Sequence, residues 1–123
     1  MKNILTIVMY HYVRPIKNSK YPGINGLELE EFINQIDFIK KYYSVITISD
    51  YIAAEKAKES LPNNSLILSF DDGYLDHFKH VLPVLDKYKM KGVFFPVGRP
   101  CLERSIIDVN KIHFVLDEIS HRH

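Results

Sequence analysis

Apolar and polar positions alternate along this chain with two different periods. Residues 4–10 form a near-continuous apolar run of Ile, Leu, Val, Met and Tyr, as expected for a strand covered on both faces. Residues 14–28, RPIKNSKYPGINGLE, hold two prolines and two glycines and read as a loop. Leu29, Phe32, Ile33, Ile36, Ile39 and Tyr43 then recur at helical spacing over about four turns. Residues 45–48 read as a short strand, and Ser49 or Asp50 is placed to cap a helix running to about Glu59.

A turn, LPNNS, leads to a buried strand at residues 66–70. Helical periodicity returns over residues 75–89, with Leu75, Phe78, Leu82 and Leu85 on one face. Pro83 interrupts it, so a short helical turn should precede a helix with proline in its first turn. Gly92 ends that unit and VFFPV forms another buried strand. Ile112, Val115, Leu116 and Ile119 predict a last helix capped near Asp108. Strand and helix alternating at this spacing imply an α/β fold of (β/α) repeats with a largely parallel sheet.

A complete eight-unit barrel needs about 250 residues. With 123 residues, the chain is either a small open α/β domain or the first half of a barrel. The last helix stops at SHRH without a glycine cap, which favours truncation at the C-terminus. A half-barrel leaves an open sheet edge and an uncovered apolar face, so self-association is expected.

Sixteen basic and fifteen acidic residues leave no field that would select nucleic acid or a membrane surface. The first apolar run is too short for a membrane span and has no small-residue cleavage site after it. One cysteine, Cys101, cannot form an internal disulfide. A cytoplasmic location is the expectation.

In a parallel sheet, ligands bind beyond the carboxyl ends of the strands. His11 follows the first strand, Asp71 and Asp72 follow the third, and Arg99 follows the fourth, which puts all of them on one edge. Two adjacent carboxylates shielded from water need a cation beside them. One can hold a divalent metal while the other takes a proton from a water that the metal has acidified. Taken alone, Asp-Asp-Gly also reads as a polar turn closing a strand. The longer context decides.

SFDDGY resembles the first motif, usually T-F-D-D-G, of the polysaccharide deacetylases, the NodB-homology group of carbohydrate esterases. KYKMKGVFFPVG resembles the family's following strand, and VMYHYVRP resembles the MYH opening of some members. The resemblance runs from residue 4 to about residue 98 and takes in most of the chain. It implies part of a distorted (β/α) barrel and metal-dependent removal of N-acetyl groups from a glycan of amino sugars. On it, Asp71 is the general base, His11 the general acid and Asp72 a metal ligand, with zinc the expected ion. Tyr74 and Arg99 are the expected substrate-binding residues.

The chain departs from the family in having no H-x-x-x-H pair. His113, in DVNKIHFVL, lies in the corresponding region and is the second candidate ligand. His77 and His80 form an H-x-x-H pair, with a solvated helix surface as the plainer explanation; His121 and His123 have the wrong spacing. Two other classes compete. A non-catalytic sugar-binding remnant would use Tyr10, Tyr12, Tyr74, Phe94 and Phe95 as stacking rings. A receiver-like signalling domain lacks its acidic pair after the first strand, which here ends in Tyr10 and His11.

Overall fold

The central strand of the computed structural model, which describes residues 4–120, is β5 (Ser65–Asp72). All four strands of the main sheet are parallel. β1 (Leu5–Tyr10) lies along one side of β5, from Leu5 opposite Ser65 to Tyr10 opposite Phe70. The other side pairs first with β4 (Ser44–Val45) and further on with β6 (Gly92–Pro96). A parallel order requires crossovers. These are α1 (Leu29–Tyr42), α2 (Ile48–Ala57), and a π-helical turn (His77–Val81) running into α3 (Leu82–Tyr88). After β6 come α4 (Gly98–Glu103) and α5 (Asp108–Ser120).

Side chains alternate across a strand, so each strand has two faces. Val8 and Tyr10 of β1 and Leu66, Leu68 and Phe70 of β5 share one face. Phe32, Ile36 and Ile39 of α1, with Val81 and Leu85, close over it. α1 is well placed to do this, with Glu30 and Glu31 in its first turn and Lys40 and Lys41 in its last, opposing the helix dipole. The opposite face carries Ile7, Met9 and Phe95, each more than half exposed. The expectation of a first strand covered on both sides is therefore corrected: Ile7 and Met9 of β1 are exposed on this face, while their partners Ile67 and Ser69 of β5 are buried. No helix among the described residues is long and apolar enough to cross a membrane.

Four local expectations change. The stretch read as loop begins and ends in strands β2 (Val13–Arg14) and β3 (Leu27–Glu28), which pair in parallel. The Glu28 carboxylate accepts the Ile16 and Lys17 N–H groups at 2.9 and 3.1 Å and ties the excursion down. The short strand is 44–45 rather than 45–48, and the cap of α2 is Thr47. Thr47 and Asp50 form a reciprocal capping box, so Asp50 acts from the third helical position. α4 occupies a stretch for which no helix was expected.

The two later helices turn unexpected faces inward. Pro83 has no N–H to offer the preceding turn, and Leu82 N–H bonds back five residues to the His77 carbonyl. The extra residue rotates the buried stripe onto His77, Val81 and Leu85, leaving Leu75 and Phe78 exposed. In α5 the expected apolar face of Ile112, Val115, Leu116 and Ile119 is more than half exposed. Its buried residues are Asn110 and Asp117, two turns apart. Asp117 accepts the Gly23 N–H, and Tyr21 packs on Phe114 with centroids 4.6 Å apart, fastening α5 to the 14–28 excursion.

Candidate active site

β5 ends abruptly because its backbone changes hand. Asp72 has φ 72° and Gly73 φ 65°, two successive left-handed residues. Asp is among the few side chains that tolerate this region. Gly73 is required twice over, since a Cβ there would lie 2.8 Å from Cα and Cβ of Pro96. Asp71 and Asp72 stand opposite Phe95 and Pro96 of β6, and successive residues point to opposite faces. Their carboxylates are accordingly served by different donors: Ser69 Oγ donates to Asp71 Oδ1 at 3.1 Å, and the Tyr74 hydroxyl to Asp72 Oδ2 at 2.7 Å.

His11 and Asp71 each stand one residue beyond the pair of Tyr10 with Phe70. The parallel topology thus brings the two to one edge from opposite ends of sixty residues of sequence. The His11 side chain is exposed, while its carbonyl accepts a hydrogen bond from His77 Nε2 at 2.8 Å. His77 is 4% exposed and packs edge-on against Phe70 and Tyr74, which corrects its reading as a solvated surface residue. Donation from Nε2 leaves Nδ1 as an acceptor, and Nδ1 is buried without a partner among the described residues.

A second cluster adjoins Asp72. The rings of Tyr12 and Tyr74 stack with centroids 4.4 Å apart and planes 10° from parallel. Asn110 Nδ2 donates to both hydroxyls, at 2.8 Å for Tyr74. The Tyr12 hydroxyl in turn lies 3.3 Å from His113 Nδ1. Burial raises the Tyr74 phenol above its ordinary pKa; the Asn110 bond works against this and the bond to Asp72 adds to it. Arg14 sits over the Tyr12 ring at 4.9 Å and pairs with Asp76, closing the cluster from behind.

The six residues singled out from the sequence are thus distributed unevenly. Asp71, Asp72 and His11 share the strand-end edge. Tyr74 joins them, but its ring and hydroxyl are engaged by Tyr12, Asn110 and Asp72 rather than held open for a ligand. Arg99 lies on α4, 72% exposed along its side chain, and bonds Glu103 at 2.9 Å. His113 reaches Asp72 only through Tyr12, Asn110 and Tyr74. Zinc takes four ligands at about 2 Å. Among the described residues no three His, Cys, Asp or Glu side chains gather to hold an ion, so Asp72 and His113 would need further donors to complete a zinc shell. His121 and His123 lie outside the described residues. Asn110 is the candidate that motif reading missed; the one available signal was its place one helical turn before His113. Tyr12, read as a possible sugar-stacking ring, stacks on Tyr74 instead.

Comparison with known proteins agrees with this geometry. Residues 58–113, which contain both aspartates and His113, match the family described as polysaccharide deacetylase. Over 56 residues the chain is 32% identical to the poly-beta-1,6-N-acetyl-D-glucosamine N-deacetylase of Escherichia coli. That match covers 46% of this chain and 8% of the relative. A solved de-N-acetylase from Aggregatibacter actinomycetemcomitans superposes with TM-score 0.66 at 30% identity, covering 76% of this chain and 37% of that one. IcaB from Ammonifex degensii superposes with TM-score 0.55 at 29% identity, covering 75% and 40% respectively. The chain is thus similar to polysaccharide deacetylases over residues 58–113, and its parallel sheet superposes on part of the (β/α) fold of solved de-N-acetylases. It spans well under half the length of these relatives.

Proposed function

We propose that this chain carries the base and acid of an amide hydrolase that removes N-acetyl groups from an amino-sugar glycan. The observation that carries the reading is the Asp71, Asp72 and Gly73 terminus of the central strand, with His11 at the same edge. Asp71 takes the proton of the attacking water as oxygen adds to the acetyl carbonyl carbon. His11 gives a proton to the amine nitrogen as the carbon–nitrogen bond breaks, releasing acetate and a free amine. A reaction that needs one group bare and another protonated has a bell-shaped rate profile.

The likeness to deacetylases also favours a divalent ion, with zinc the ion read from the sequence. Asp72 is its proposed point of attachment through Oδ1, which has no partner among the described residues. No step above depends on it. The sugar-binding alternative has less to support it: Tyr10 and Tyr12 are buried, Tyr74 is stacked, and Phe95 is the aromatic left half exposed.

The test is acetate release from an N-acetylated glucosamine oligosaccharide, in zinc-containing buffer, by the wild-type chain, Asp71→Asn and His11→Ala. Both variants should lose about 100-fold or more in kcat, the usual scale of a general acid or base. Retention of most activity by Asp71→Asn would remove it as the base.

A further inference from the structure

We propose that Asn110 is a positioning residue that passes the proton direction fixed at Asp72 on to His113. The inference rests on the deacetylase reading for its link to catalysis, but its structural part can be tested without it.

The argument is a count of protons. A carboxylate only accepts, and each tyrosine hydroxyl has one proton. Asp72 Oδ2 lies 2.7 Å from the Tyr74 oxygen, so the Tyr74 proton must lie between them. Tyr74 then has nothing left to donate, and the group 2.8 Å away on Asn110 must be the amide nitrogen rather than its oxygen. With the amide reversed, two oxygens would face each other without a proton. Asp72 therefore decides which way round Asn110 sits.

The same amide nitrogen carries a second proton, and the Tyr12 oxygen is its partner. The 4.4 Å ring stack makes this possible by setting the two hydroxyls side by side within reach of one NH2 group. Because Tyr12 accepts from Asn110, its own proton is free to point at His113 Nδ1, 3.3 Å away. His113 is then held with Nδ1 as acceptor and its proton on Nε2. Asn110, 4% exposed and donor to both phenols, is where the two branches divide. On one branch Asp72 is oriented with Oδ1 left for the reaction; on the other His113 is fixed as one tautomer.

Asn110→Asp tests this at nearly constant shape. A carboxylate at 110 cannot donate, so the Tyr12 proton turns toward it and leaves His113, while Asp72 must compete with it for the Tyr74 proton. The tautomer of His113 is read from the ring nitrogen chemical shifts of the 15N-labelled full chain at about pH 8, where an ordinary imidazole is neutral. Wild type should show one tautomer with the proton on Nε2, and Asn110→Asp a mixture. Tyr12→Phe, which removes one hydroxyl and leaves the Asp72 branch intact, should also give a mixture. In acetate release, Asn110→Asp should lower kcat about 10- to 100-fold with little change in KM, as for a lost hydrogen bond to a charged group. A merely structural Asn110 would lower stability and leave the His113 tautomer unchanged. An unchanged tautomer in both variants, or a wild-type proton on Nδ1, overturns the proposal. Absence of acetate release by wild type would remove the deacetylase reading, and the tautomer result would still decide the proton arrangement.

Discussion

His77 Nε2 donates to the carbonyl oxygen of His11 at 2.8 Å, so a buried ring on the π-helical turn anchors the backbone of the proposed acid. The orphaned Nδ1 is the cost of that arrangement. His77→Phe removes both the bond and the orphan. A net hydrogen bond contributes about 0.5–1.5 kcal/mol, and an unsatisfied buried group costs about 1–3 kcal/mol. Stability by urea unfolding should therefore change by less than about 1 kcal/mol, while kcat falls about 10-fold because His11 is no longer held. An equal kcat would show that the anchor has no part in positioning the acid.

Substitutions at Asp72 should separate backbone hand from charge. Asn tolerates a φ of 72°, whereas Ala in the left-handed region is penalised by about 1–2 kcal/mol. Asp72→Ala should lose about that much stability and Asp72→Asn much less. Zinc binding measured by calorimetry should be weak in wild type, for want of further donors, and absent in both variants. Binding that survives in Asp72→Asn would place the ion elsewhere.

Burial pushes the Tyr10 phenol up to about 12. Its folded pKa is above the unfolded value of about 10, so the folded state holds the proton more tightly. The resulting stability is complete below about pH 10 and is lost as pH rises toward 12. Tyr74 is raised in the same direction. Unfolding titrations at successive alkaline pH values should show this decline, and Tyr10→Phe should flatten it. At neutral pH the variant should lose only the bond to Gln35, about 0.5–1.5 kcal/mol.

The uncovered sheet face should govern solution behaviour. Ile7 and Met9 are 62% and 60% exposed on neighbouring positions of one strand face. Sedimentation velocity over a concentration series should show association of wild type and less of it for Ile7→Lys with Met9→Lys. The double variant should lose little stability, since neither side chain is in the core. A wild type that stays monomeric throughout the series would rule this face out as an association surface.

The sheet was legible because β5 is a mostly apolar run that ends in two carboxylates and a glycine, and because helix-length segments separate the strands. Strand-end chemistry followed from parallel order alone, which is how His11 and Asp71 could be placed together. The parts missed depend on contacts between distant residues. β2 and β3 are two residues each, too short for any period to show. The apolar stripe of α5 suggested a buried face, yet Asn110 and Asp117 turn inward because hydrogen-bond partners across the chain await them. The His77 stripe was displaced by one residue because hydrophobic spacing cannot announce a π turn. Thr47 was passed over as a cap since Ser49 and Asp50 beside it have equally suitable side chains.

The register of β1 against β5 also sets a schedule. Leu5 pairs with Ser65, sixty positions later, and every other β1 pair has the same separation. At synthesis rates of about 5–20 residues per second, β1 waits roughly 3–12 s on the ribosome before its partner strand is made. β4 and β6 likewise pair with β5 alone. No part of the main sheet can therefore form until the central strand emerges, and assembly then becomes possible for β1 and β4 at once. During that interval α1 is the one helix already made that packs on the core face of β1, and the β5 edge of its backbone is unpaired. A holding chaperone that recognises short apolar segments would meet this chain at residues 4–10, before any of the chemistry at the far end of the sheet exists.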